Sequence, residues 1–348
     1  MKRVLRHASQ LIPALLSLGL LFWVLRSADL GKALELVRSR GPWLPLLLLP
    51  NLVAVLCEAL GWWLCHDRLG ERPRFRGLVT VRVIGDALML GLPSGAVLSE
   101  TVQPYLLKRH CGVPTEAGVV STIARKFFVI LSHGLFLALA TFLAWPLLQR
   151  ASRAAIGRGG LPILLLATAL ALIVVALLLV AATAKGQMAD RLHRGLERLL
   201  GRWLGAWLER NALRFQRTDQ ALASFFNARP LGLVVPVLLY MAGWMVRSLE
   251  TLLFLYLLGV NAPLSATMVI ETTLILVRAL AVPVPAGLGV QDLGYLLSLK
   301  ALGVPAVTTV GAALVLLKRG KDIFWILAGF ALLGLGRRAR APLLGAAA

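Results

Sequence analysis

The sequence predicts an all-α, polytopic integral membrane protein with about six full spans and two re-entrant helical hairpins arranged as an inverted-topology repeat. Three observations carry this. Of the 348 residues 58% are hydrophobic and only 15% charged, a balance unlike that of soluble domains. Apolar runs long enough to cross a bilayer, about 20 residues each, recur along the chain. Two of the apolar stretches are interrupted at their centres by Pro and Gly, and a helix does not pass through Pro unkinked.

Taken in order, full spans are expected at 10–26, 42–65, 117–147, 161–184, 231–259 and 306–336. The first resembles a signal peptide, with Lys2, Arg3 and Arg6 ahead of an apolar stretch. Arg26 stands where a cleavage site after Ala28 needs a small residue, so the span is read as uncleaved. Ala33, Leu34 and Val37, with Lys32 and Arg40, make a short interfacial helix after it. Between Met188 and Leu208, Leu192, Leu196, Leu199, Trp203 and Trp207 recur at helical spacing opposite Arg191, Arg194, Arg198 and Arg202. That pattern fits an in-plane helix on anionic inner-leaflet lipids.

The broken stretches are 77–110, with GLPSGAV from Gly91 to Val97, and 265–300, with VPVPAGLGV from Val282 to Val290. They align at an offset of 192. Glu58 matches Glu250, Pro93 matches Pro285, Gly95 matches Gly287, and Glu100 falls on Asp292. After a one-residue gap Gly112-Val113-Pro114 matches Gly303-Val304-Pro305. The chain accordingly divides into 1–41 (first span and interfacial helix), 42–184 (first repeat half with an extra span), 185–230 (basic amphipathic segment) and 231–348 (second half and basic tail).

Charge orients the copies. Residues 185–229 hold nine basic and four acidic side chains and the tail holds Arg337, Arg338 and Arg340, which places both termini and the central segment in the cytoplasm. Threading from there, the hairpins enter the membrane from opposite faces. Arg150, Arg153 and Arg158 then lie outside, against the trend. Inverted repeats with broken helices near the midplane are the architecture of secondary transporters.

Lys and Arg number 37 against 16 Asp and Glu, a formal charge of +21. The charges flank apolar runs and accompany no nucleic-acid module, so nucleic acid is not an expected partner. Cys57, Cys65 and Cys111 have no metal or disulfide spacing and read as packing residues. No P-loop, HExxH or GxSxG occurs, so no enzyme activity, cofactor or metal is expected. Gly287, Leu288 and Gly289 lack the third glycine of a dinucleotide site. His133 reads as a packing histidine.

Charged residues within spans are costly and are paired or line a polar cavity. Arg125, Arg278, Lys318 and Arg319 are the candidate substrate-binding residues; Glu58, Glu100, Glu250 and Asp292 are candidates for proton coupling. Pro93, Gly95, Pro285, Gly287 and Gly289 form the hairpin breaks. Asp86 and Arg278 each lie seven residues before a hairpin proline, so the repeat sets opposite charges in equivalent places. Arg247 and Glu250 are three apart and read as a mutual pair. Lys318, Arg319 and Lys321 against Asp322 leave about two positive charges for a lipid phosphate, Glu271 or Asp292 to neutralise.

PSGAVLSE (Pro93 to Glu100), KRHCGVP (Lys108 to Pro114), PAGLGVQD (Pro285 to Asp292), GVP again and KRGKD (Lys318 to Asp322) together resemble the lysylphosphatidylglycerol synthase transmembrane-region family, over roughly 30–336. That family includes the flippase-like module of the multiple peptide resistance factor and stand-alone membrane proteins. The resemblance implies lipid handling across a bilayer. Gln291 stands where the family commonly has an acid, with Asp292 beside it, and no soluble aminoacyl-transferring domain accompanies the spans. The expectation is a flippase or transporter moving an anionic or glycosylated lipid between leaflets of a bacterial inner membrane. Its energy would come from a gradient or from none. The alternative is a non-transporting scaffold that recruits a lipid-synthesis enzyme.

Overall fold

The computed structural model describes residues 30–92, 94–186, 216–228, 230–280 and 287–338, together with Gly19 and Leu213. The regular elements among them are helical. They are α1 (Leu30–Ser39), α2 (Leu49–Arg68, led in by a 3-10 stretch Gly41–Leu48), α3 (Phe75–Gly91), α4 (Gly95–Cys111), α5 (Thr115–Leu143) and α6 (Trp145–Ile156). After these come α7 (Leu161–Ala184), α8 (Val234–Leu257), α9 (Leu264–Leu280), α10 (Val290–Ala301) and α11 (Val307–Arg338). The expected first span and the in-plane helix at 188–208 lie outside the described residues.

Among the described residues four helical segments are long and apolar enough to cross a membrane: Gly41–Arg68, Thr115–Leu143, Leu161–Ala184 and Val234–Leu257. With the family membership reported below, this is a multi-pass membrane protein. α11 has 32 residues, about 48 Å at the helical rise, but Lys318, Arg319, Lys321 and Asp322 interrupt its apolar run. The span expected at 117–147 is shorter than its hydropathy suggests. α5 stops at Leu143, and Trp145 with Pro146 opens a separate amphipathic helix, Pro being at home in a first turn. Much of the stretch between the spans expected at 117–147 and 161–184 is therefore helical.

The first broken stretch forms two helices side by side. Gly77 lies against the His110 carbonyl, Gly85 against Ser99, and Gly95 against Leu88, so α4 runs back along α3. Leu92 is extended and Ser94 left-handed (φ 55°), which turns the chain within three residues. A Cβ on Gly95 would sit 2.2 Å from the Leu88 carbonyl oxygen, so only glycine permits the turn to close. Pro93 lies outside the described residues. In the second stretch, α9 and α10 touch through Leu274 and Gly294 and through Glu271 and Tyr295; Pro285 and the rest of 281–286 lie outside.

The two GVP triplets do the same work. Gly112 (φ 74°) ends α4 and Gly303 (φ 69°) ends α10 in the left-handed conformation that terminates helices. Val113 and Val304 are buried, and the proline precedes the next long helix, α5 or α11.

Packing falls into three clusters. Trp62, Leu78, Phe128 and Tyr240 centre one that joins α2 to α5 and α8, with Leu222, Phe225 and Phe226 from the helical residues 216–227. Phe254, Leu274, Tyr295 and Ala313 centre a second among α8 to α11. The third, around Phe136, Ala169 and Met268, ties α7 and α9 to α5. Ala33 of α1 is buried in the second cluster while Leu34 is exposed. The short amphipathic helix thus spends its apolar stripe on protein. α7 shows Ile163, Leu164, Leu170, Leu177 and Leu178 on its outer surface, a face suited to acyl chains.

Candidate functional site

Residues of both hairpins and of α2, α5, α8 and α11 enclose a cavity of about 360 Å³. Seven basic and seven acidic side chains line it. Ions so far from water persist only when paired, and the pairing divides them into two clusters.

The first cluster is built by α2, α3, α4, α5 and one residue of α8. Glu58 is buried and receives two guanidinium groups, Arg82 at 2.6 Å and Arg247 at 2.9 Å. Arg82 also reaches Asp86, one turn along α3, at 2.8 Å. Arg247 adds a 3.4 Å bond to Asn51. On the other side, Glu100 accepts from Arg125 at 2.8 Å and from Lys126 at 2.7 Å. Arg125 donates again to Gln103 at 2.9 Å and lies over the Trp62 ring, 5.0 Å from its centroid. The hairpin that holds Glu100 is clasped by Ser99, whose hydroxyl donates to the Gly85 carbonyl at 2.8 Å.

α8, α9, α10 and α11 build the second cluster. Lys318 donates to Glu250 at 2.8 Å, to Thr251 at 2.6 Å and to Glu271 at 3.2 Å. The rings of Phe254 and Tyr295 lie 5.0 and 5.6 Å from its ammonium. Glu250 also takes Lys321 at 2.8 Å, and Glu271 accepts from Tyr295 at 2.7 Å and from Thr251. Asp292, fully buried, accepts the Gly289 amide at 2.9 Å and Arg319 at 2.7 Å. Asp322 takes Arg319 at 3.3 Å.

The two clusters follow one plan. An acid on the second helix of each hairpin, Glu100 or Asp292, binds a cation from a basic pair on the long helix that follows, Arg125-Lys126 or Lys318-Arg319. The basic pairs are offset by 193 positions and the acids by 192.

Several sequence expectations change here. Arg247 and Glu250 do not pair with each other: Arg247 serves Glu58 on α2 while Glu250 serves α11, so the link is between helices rather than along one. The cations of α11 need no outside anion, because Glu250, Glu271, Asp292 and Asp322 answer Lys318, Arg319 and Lys321. Asp86 pairs with Arg82, and the Arg278 side chain lies outside the described residues. Gly287 (φ 61°) lines the cavity and Gly289 (φ 76°) caps α10. Gln291 is buried, 3.5 Å from the Tyr295 hydroxyl, while Asp292 holds the ion pair. His133 stacks on Trp244 at 4.8 Å and meets the Thr272 carbonyl at 3.1 Å, joining α5 to α8 and α9.

Arg82 was not among the sequence candidates. It sits in the apolar run VTVRVIGD, and the signal for it is Asp86 four residues later on the same face.

The sequence matches the family described as the lysylphosphatidylglycerol synthase TM region over residues 10–317. The chain belongs to this family. The matched region holds the whole first cluster and the α8, α9 and α10 acids of the second; it stops one residue before Lys318. No curated protein and no solved structure gives a significant match.

Proposed function

We propose that this member of the lysylphosphatidylglycerol synthase TM family is a flippase-like transporter that passes an anionic or glycosylated lipid between leaflets of a bacterial inner membrane. One observation carries the reading: a cavity of about 360 Å³ lined by fourteen charged side chains lies among apolar helices between two broken helical pairs. Such a volume takes a head group while the acyl chains stay outside. The pairs act as re-entrant hairpins of an inverted repeat, and the shared acid-plus-basic-pair plan of the two clusters supports that relation. Both termini and residues 185–230 are cytoplasmic in this reading. The transfer involves no covalent step. Protonation of Glu58, Glu100, Glu250 or Asp292 would release a cation and loosen one cluster, which is how a proton gradient would couple to movement.

Reconstitution in liposomes with fluorescent anionic and glycosylated lipids tests the transport reading. Exchange faster than in protein-free vesicles is expected. No exchange for any of them favours a scaffold that holds a lipid-synthesis enzyme. Single cysteines at 155 and 205 in a cysteine-free background test the orientation: labelling from opposite sides is expected, and labelling of both from one side contradicts the inverted repeat.

A further inference from the structure

The cavity's cations differ in how exposed their unused hydrogen-bond donors are. Lys318 has three N–H groups and three acceptors around it, Glu250, Thr251 and Glu271. Its side chain is only 7% exposed and two aromatic rings cover the rest. Arg125 also lines the cavity, but its side chain is only 3% exposed: one terminal nitrogen serves Glu100 and Gln103, and its Nε is buried. Lys318 cannot take a new ligand without losing a partner, and the remaining donors of Arg125 are buried.

Lys126 and Arg247 are different. Lys126 is 46% exposed and has one carboxylate partner, Glu100, among the described residues. Two of its three N–H groups stay open. Arg247 is 23% exposed and uses two of its five N–H groups, on Glu58 and Asn51. Both residues line the same cavity.

Charge points the same way. Arg82, Arg125, Lys126 and Arg247 face Glu58, Asp86 and Glu100 in the first cluster, four positive against three negative. In the second cluster Lys318, Arg319 and Lys321 face Glu250, Glu271, Asp292 and Asp322, three against four. The most exposed open donors, those of Lys126 and Arg247, therefore sit in the cluster where one positive charge is unanswered, and one phosphodiester carries the single negative charge that answers it.

We infer that Lys126 and Arg247 are the head-group clamp of this cavity, binding a phosphodiester, and that Lys318 is a structural cation. The inference rests on the reading that a lipid enters the cavity. The guanidinium of Arg247 offers planar donors to two phosphate oxygens while Lys126 supplies a mobile point charge. Specificity for phosphate over a neutral sugar head group then resides in the first cluster.

Native mass spectrometry of the purified full chain, with phosphatidylglycerol and a neutral glycosyl diacylglycerol offered together, tests this alongside a melting curve for each variant. Lys126→Gln and Arg247→Gln should each lower the preference for phosphatidylglycerol about tenfold, and Lys126→Arg, which keeps the charge, should retain it. Lys126 is half exposed, so Lys126→Gln should melt within a few degrees of the parent. Unchanged preference in Lys126→Gln and Arg247→Gln overturns the clamp. So does a loss in Lys126→Arg equal to that in Lys126→Gln. A further arm adds glycerophosphoglycerol, the deacylated head group. Weak competition by it supports a lipid ligand. Competition as strong as the lipid's own binding keeps the clamp but overturns the lipid reading of the function, so the two failures are told apart.

Discussion

In the first cluster the cavity keeps two partly exposed cations with open donors, Lys126 on Glu100 and Arg247 on Glu58, whereas around Glu250 a lysine is saturated by three acceptors and covered by two rings. Both regions use an acid on a hairpin and a basic pair on a long helix, so the difference lies in how the plan is completed. Thr251, Glu271 and Tyr295 fill the second cluster from α8, α9 and α10. The first has Asn51 and Gln103 as its only neutral hydrogen-bond partners for cations among the described residues. One plan thus serves two ends: the second cluster locks α11 to the hairpin and α8, and the first leaves charge facing the cavity.

Substitutions that break the comparison come first. Gly95→Leu should have the largest effect. Its Cβ would meet backbone carbonyls at 2.2 and 2.6 Å, and backbone does not give way as a side chain does. A loss of about 3 kcal/mol or more is expected, with loss of lipid exchange; normal melting and exchange would mean the turn tolerates a side chain. Lys318→Gln leaves Glu250 with Lys321 and Glu271 with no cation. Removing one partner of a buried pair costs about 3–5 kcal/mol, read as a large drop in melting temperature with lipid preference unchanged. An altered preference at unchanged stability would exchange the roles of the two clusters.

Smaller changes sharpen it. His133→Phe keeps the ring beside Trp244 but loses the contact to the Thr272 carbonyl, at about 1 kcal/mol. A melting curve checks it. Leu170→Ala on α7 removes an exposed side chain from the outer face and should change stability in detergent by less than about 0.5 kcal/mol; a larger drop would place that face against protein.

Much of this plan is written locally in the sequence. Gly and Pro at 91–95 mark the first turn because backbone conformation is a local property, and GVP marks two helix ends for the same reason. The acids at 58, 100, 250 and 292 stand out because charge in an apolar run is conspicuous. Their partners are not legible this way. Arg247 is three residues from Glu250 yet reaches across to Glu58, a choice made by how α8 lies on α2. Arg82 is masked by the β-branched residues around it, and only its spacing to Asp86 hints at a role. The saturation of Lys318 depends on four helices meeting, so the sequence shows a cation cluster in want of an anion where the fold supplies several. The end of α5 at Leu143 is hidden because hydropathy runs on through Pro146 while the backbone does not.

The central claim is that a lipid head group occupies the cavity beside the first cluster. A phosphatidylglycerol analogue bearing a photoactivatable diazirine on its head group, irradiated with the reconstituted protein and mapped by peptide mass spectrometry, tests it directly. Crosslinks are expected on α5 near Lys126 and Val129 and on α8 near Trp244 and Arg247, residues that line the cavity, and they should diminish in Lys126→Gln. Crosslinks confined to the outer face of α7, around Leu164, Leu170 and Leu178, would show lipid lying against the protein and none within it, and would contradict the account.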